Sequence, residues 1–285
     1  TVVSWVDFRL AFVRSGNVNL KKYFNQWLAR SGAPQLAFDD VVTERLDVGW
    51  IVKGRIVQQR PLFDLSAELL LMADGKAIRE LTNISDRKTR FEMHCVGQPE
   101  KLTLDPDVDI FRRLESIEIP PAVNSIKGSA SVLVVMSDDL KTGAKEAADT
   151  LVRSLGLNTF RLISEGRVDL TALAENDLLF VGFPQRAELA AGLKSQIPLN
   201  RKSFVINGSE FSDPADTFFG VFEHPWAERG TVGLFLPLSS EYAKIVARKI
   251  THYGKYSYLV FHGRHNRAKG TWPVLRSPLI YRWPK

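Results

Sequence analysis

Hydrophobic positions recur at helical spacing in two short stretches near the start of the chain and then change to alternation. Trp5, Phe8 and Phe12 fall on one face of a first helix, with Ser4 and Asp7 spaced as a reciprocal cap and Gly16 as its stop. Asn19 is placed to cap a second helix whose apolar stripe is Leu20, Phe24, Trp27 and Leu28, and Gly32 with Pro34 ends it. Two helices this short cannot bury five aromatic rings between themselves. The pair is therefore expected to pack on the sheet that follows or against a larger helical body.

From Leu36 to about Asp105 short alternating segments take over, each of strand length and separated by Gly, Pro or Asp, which predicts an antiparallel β-sandwich over 35–117. Asp74-Gly75 marks a hairpin turn. In "WIVKGRIVQQ" the alternation places Trp50, Val52 and Ile56 on one face and slips near Gly54, so a bulge is expected there. Residues 118–129, "EIPPAVNSIKGS", lack periodicity and read as a linker. Continuous apolar runs then alternate with amphipathic segments, beginning with "SVLVVMS" and "TGAKEAADTLVRSLG". This predicts an α/β layer domain over 130–285 with a mostly parallel sheet. The strands at 216–223 and 231–238, joined by a turn, suit an antiparallel pair. The fold class expected is multidomain: a short helical segment, an antiparallel β-sandwich, then the α/β domain.

Composition changes this picture little. The chain is 45% hydrophobic and 25% charged, ordinary for a globular protein, and contains no run of 18 apolar residues that would span a membrane. Its one cysteine, Cys95, excludes a disulfide framework and a cysteine-rich zinc site and reads as a buried strand residue. The net charge of +6 is local: residues 264–285 hold six Lys or Arg and no acid.

Candidate chemistry is sparse. Asp138 and Asp139 follow the first strand of the α/β domain, where open sheets place ligands, although an Asp there also caps turns and helices. A hydrolase centred on that pair would be active without any other domain. His262 and His265 are spaced to present two imidazoles to a metal, but Arg264 between them opposes a cation. Glu223 and His224 are adjacent on a strand and so point to opposite faces. The tail interleaves Arg264, Arg267, Lys269, Arg276 and Arg282 with Trp272, Tyr281 and Trp283, a mixture that serves nucleic-acid binding or a final strand with aromatics inward. The strand reading is preferred, and nucleic acid is not expected as a partner. Candidate ligand-binding residues are thus Asp138, Asp139, Arg264, His265 and Arg267. No dinucleotide, phosphate-loop or nucleophile-elbow motif follows any strand.

The run "LKKYFNQWLARSGAPQLAF" resembles the junction where the helical end of a zinc aminopeptidase of the membrane alanyl aminopeptidase family passes into its β-sandwich. Phe24, Gln26, Trp27, Gly32 and Pro34 match position by position, and "KLTLDPDVDIFRRL" is similar to the closing sandwich strand. The resemblance covers about residues 1–115 and departs from the family in what is missing. H-E-x-x-H does not occur; the five histidines are His94, His224, His252, His262 and His265. The G-x-M-E-N segment that engages a substrate amino terminus is also lacking, and an α/β domain stands where many relatives continue as helices.

With Thr at position 1, the chain is expected to be a C-terminal portion of a longer protein, residues 1–34 being the helical tail of a catalytic domain upstream. The resemblance implies a hydrolase: a parent metallopeptidase that uses zinc to cleave peptides near their amino terminus. This region would hold no catalytic residue, metal or cofactor of its own. It would support the catalytic domain or control access to it. The alternative is a ligand- or protein-binding α/β module on a degenerate peptidase scaffold.

Overall fold

The computed structural model describes residues 4–16, 19–139 and 142–284. They form two compact units, Thr1–Glu118 with Leu275–Lys285, and Ile119–Val274. The first begins with α1 (Trp5–Gly16) and α2 (Lys21–Leu28). Ser4 and Asp7 close a reciprocal cap on α1: Asp7 Oδ2 accepts from Ser4 N at 2.9 Å, and Asp7 N donates to Ser4 Oγ at 3.3 Å. The N-cap position of α2 is Leu20, which has no side-chain cap; Asn19, expected there, lies one residue earlier and accepts from Lys21 N through Oδ1 at 3.1 Å.

Six strands follow: β1 (Leu36–Arg45), β2 (Trp50–Gln58), β3 (Leu65–Ala73), β4 (Lys76–Ile84), β5 (Lys88–Cys95) and β6 (Pro99–Leu104). They form two antiparallel sheets, β1-β2-β5 and β16-β6-β3-β4, where β16 is Ile280–Arg282. Both sheets turn apolar rows toward one core, Val52, Ile56, Phe91 and Met93 from the first and Leu69, Leu71, Leu102 and Leu104 from the second; Cys95 lies there too. Alternation is cleanest in β3, where Leu65, Ala67, Leu69, Leu71 and Ala73 are all buried. Asp74 and Gly75 both take positive φ and close the β3–β4 hairpin as expected. The bulge expected at Gly54 is on the neighbouring strand instead, between Asp39 and Val42, with Asp40 at φ 48°. Gly54 itself stays in register with β5, opposite Phe91, and a Cβ there would come within 2.7 Å of that ring; the glycine makes room for an inward phenylalanine.

The second unit holds a seven-stranded sheet, flanked by helices on both faces. Its elements are α3 (Val123–Lys127), β7 (Val132–Met136), α4 (Thr142–Leu155), β8 (Phe160–Ser164), α5 (Leu170–Ala174), β9 (Asp177–Val181) and α6 (Ala187–Lys194). A small hairpin, β10 (Phe204–Ile206) and β11 (Ser209–Phe211), precedes β12 (Asp216–Glu223), β13 (Thr231–Pro237), α7 (Ala243–Ile250), β14 (Tyr258–His262) and β15 (His265–Gly270). The strand order is β15-β14-β12-β13-β9-β7-β8. One apolar layer joins α3, α4 and α7 to the sheet and a second joins α5 and α6, which is why Val132–Val135 form an unbroken buried run.

Three expectations need correction. The sheet is mixed rather than mostly parallel: β8, β7, β9 and β13 pair in parallel, whereas β12 runs against both its neighbours and β15 against β14. Short turns after β12 and β14 leave no room for the crossover that parallel pairing requires. Segment 118–129 is more than a linker, since it contains α3, whose Val123 and Ile126 are fully buried. Finally, the α/β unit does not extend to 285. The chain returns to the two-sheet unit, where β16 pairs with β6 and Leu279 enters the core. The aromatics of the tail do pack inward, but in two places. Trp272 stacks on Phe222 in the α/β unit, while Tyr281 and Trp283 cover the two-sheet core.

Candidate functional site at the strand ends

The chain leaves β7, crosses through α4 to β8 on one side, and returns through α5 to β9 on the other. The gap between the carboxyl ends of β7 and β9 is thus a topological switch point, the position where open α/β sheets receive ligands. Ser137, Asp138 and Asp139 line one side, and Gly182 at φ 81° starts the loop on the other.

That gap is filled by the chain itself. Glu165, which directly follows β8, is fully buried, and its carboxylate accepts three backbone N–H groups: Asp138 N at 2.9 Å on Oε1, and Gln185 N at 2.6 Å and Arg186 N at 3.1 Å on Oε2. Its partners are amides rather than a cation. The Arg186 guanidinium turns instead to the carbonyl oxygens of Glu165 and Val168, at 3.1 and 2.6 Å. Ser137, also buried, has one hydroxyl proton and three acceptors in reach: Asp139 Oδ1 at 2.6 Å, the Phe183 carbonyl at 2.9 Å and Glu165 Oε1 at 3.2 Å. A hydroxyl aimed into acceptors stitches the two strand ends together and is not poised to attack a substrate.

Of the predicted aspartates, Asp138 accepts from Ser164 Oγ, and Asp139 pairs with Arg201 at 3.1 Å. Burial pushes the Asp139 carboxyl up, but hydrogen bonds from Ser137 and Gln185 and the charge of Arg201 outweigh it and hold the group below its ordinary value. Both aspartates therefore serve as local hydrogen-bond partners at the rim. The backbone amides that would cradle an anionic ligand are already engaged by Glu165.

The other candidates lie elsewhere. Arg264, His265 and Arg267 are at β15, and β14, β12, β13 and β9 intervene before β7, roughly 24 Å of sheet at the usual strand spacing. The structure does not bring the two groups together. His262 and His265 face each other across the turn, and His262 Nδ1 is 3.0 Å from Asp216, a carboxylate that local sequence did not place nearby. His224 is buried, with Nε2 2.9 Å from the Leu173 carbonyl and Nδ1 accepting from Trp226 N at 3.1 Å. Burial, opposed by the Leu173 and Asn176 backbone and by the charge of Asp177, pushes its pKa below the ordinary value, and both ring nitrogens are engaged by the chain itself. Sequence reasoning missed Glu165. The available signal was an acid immediately after a strand, the same kind of position that singled out Asp138.

Gln26, Trp27, Gly32 and Pro34 are anchoring groups in the two-sheet unit. Gln26 exchanges two hydrogen bonds with the Asp64 backbone, at 2.7 and 2.9 Å, and Trp27 stacks on Phe63 at 5.2 Å. Gly32, at φ 92°, passes beside Pro61, and the Pro34 carbonyl accepts from Arg113 N. The opposite side of the helix pair is open: Trp5, Phe12 and Tyr23 are 65%, 52% and 60% exposed. Among the described residues no helix is long and apolar enough to cross a membrane.

No family model matches the chain, and no curated protein does. Among solved structures there is a likeness to the CARDB domain of a Pyrococcus furiosus protein crystallised with di-metal ions. It has 8% identity and a TM-score of 0.26 and covers 30% of this chain and 87% of that one, a level that carries no argument about fold or function.

Proposed function

We propose that this chain is the non-catalytic C-terminal region of an aminopeptidase-like zinc metallopeptidase. The helix pair and a β-sandwich would brace the catalytic domain, and the α/β unit would limit access to it or recruit a partner. The observation that carries this reading is the two-sided character of the helix pair. One side is fixed through Gln26, Trp27 and Arg30, the last lying 4.5 Å over the Phe63 ring, while the other presents Trp5, Phe8 and Phe12, packed on one another, as an uncovered aromatic surface. A helical catalytic domain is the cover that the family resemblance supplies. Zinc and the general base belong to that domain in this reading, and the peptide substrate binds there.

The test compares full-length protein with this chain. The full-length protein is expected to hold stoichiometric zinc and to hydrolyse an aminoacyl p-nitroanilide, and this chain to do neither. Trp5→Ala/Phe8→Ala/Phe12→Ala should lower the melting temperature of the full-length protein while barely moving that of the isolated chain. A full-length protein without zinc or activity would leave the alternative, a binding module on a degenerate scaffold. Equal destabilisation of both proteins would remove the bracing role.

A further inference from the structure

Charge is unevenly distributed in the Ile119–Val274 unit. Between residues 241 and 270 seven Lys or Arg face one acid, Glu241, whereas the rest of the unit carries eleven Lys or Arg and fourteen Asp or Glu. The fold brings several of these cations together, although Glu146 and Asp149 of α4 line the same groove as Lys244 and Arg248, so the acid-poor part of the face lies toward β15. Lys249 Nζ, at the end of α7, donates to the Arg264 carbonyl at 2.6 Å, which ties the helix to the β14–β15 turn. Lys269 stands opposite Leu259 on the α7 side of the sheet, 5.5 and 5.1 Å from the Tyr253 and Tyr256 rings, and Lys255 is 5.4 Å from Tyr256. Lys244 pairs with Glu146. Among the described residues, Arg248, Lys255, Arg264, Arg267 and Lys269 have no carboxylate within ion-pair distance, and all five are exposed.

We infer that this α7–β15 face docks an acidic polypeptide segment. Charge complementarity supplies the attraction, and the surroundings select the class of partner. Tyr253 and Tyr256 are half-buried with lysines over them, so no open ring is offered for base stacking. Ile245 is the exposed large apolar side chain of the stretch, too little to enter a bilayer. Each exposed ion pair contributes little, so docking is weak, salt-sensitive and dependent on several carboxylates in series. This inference is independent of the peptidase reading, and its failure would leave that reading untouched.

The experiment titrates the 285-residue chain into fluorescein-labelled octaglutamate at low salt, with a labelled oligo(dT) and phosphatidylserine vesicles as competing probes. Octaglutamate should bind best, and raising the salt to about 0.3 M should weaken it at least tenfold. Arg264→Glu/Arg267→Glu/Lys269→Glu should weaken it by more than about tenfold, and Lys76→Glu/Arg90→Glu in the other unit by less than about twofold. Should the triple glutamate variant misfold by circular dichroism, Arg264→Gln/Arg267→Gln/Lys269→Gln decides the matter. Absence of octaglutamate binding, tighter binding of oligo(dT) or vesicles, or equal losses in the two charge-reversed variants would each overturn the proposal.

Discussion

Glu118 in the two-sheet unit and Glu165 in the α/β unit are both buried, and their charge is compensated differently. Glu118 is gripped by the Arg112 guanidinium at 2.9 and 3.0 Å, by Ser277 Oγ at 2.6 Å and by Glu115 N at 2.8 Å. Glu165 is held by backbone amides from two loops, with a serine hydroxyl in reach. Arg112 lies in the same segment as Glu118, so the ion pair closes a local loop, and the Ser277 hydroxyl ties that loop to the returning chain. Amides are fixed by the strands they follow, so the Glu165 site exists wherever parallel strands end, and an internal acid there excludes an outside anion.

The largest expected effect comes from breaking the cation-held site. Glu118→Ala takes from the buried Arg112 its two-pronged partner and leaves only Asp105, at 3.8 Å, so it should cost about 3 kcal/mol in urea unfolding. Replacing both residues, as Arg112→Met/Glu118→Leu, should recover much of that loss; no recovery would show that the pair contributes through more than its charges. Glu165→Gln sets an amide NH2 against backbone donors and should cost about 2–3 kcal/mol, read by the same method. Loss below experimental error would mean that water replaces the carboxylate and that the gap is open.

The smallest effect is a difference in acid sensitivity. Burial pushes the folded His224 below its ordinary value of 6.5, so its contribution is complete above that pH and is lost as pH falls below it. For Glu118 burial acts upward, but Arg112, Ser277 and the Glu115 amide outweigh it, so its contribution persists down to about 4.5 and is lost only below. Unfolding followed between pH 7.5 and 4 should show the α/β unit weakening first, and His224→Gln should flatten that early slope. A single transition, unchanged by the substitution, would contradict the assignment.

Strands β1 to β6 were legible because each keeps a two-residue rhythm between turn residues, and α4 because its small and apolar residues keep a helical one. Local rhythm does not encode which strands become neighbours. The return of β16 to β6 links positions far apart in sequence, and "LIYRW" reads equally well as a strand of either unit. The β10–β11 hairpin carries its own turn signal in Asn207 and Gly208, both at positive φ. Glu165 was harder to find: its burial depends on loops after three strands, and only the folded sheet brings them to one point.

The hydrogen bond between Ser277 and Glu118 joins the places where the chain leaves the two-sheet unit and comes back. On the ribosome, β6 therefore emerges with an open edge that stays unpaired until the whole α/β unit has been made. Translation order thus gives the inserted unit a head start in folding, and the sheet it interrupts is completed only once β16 has followed it.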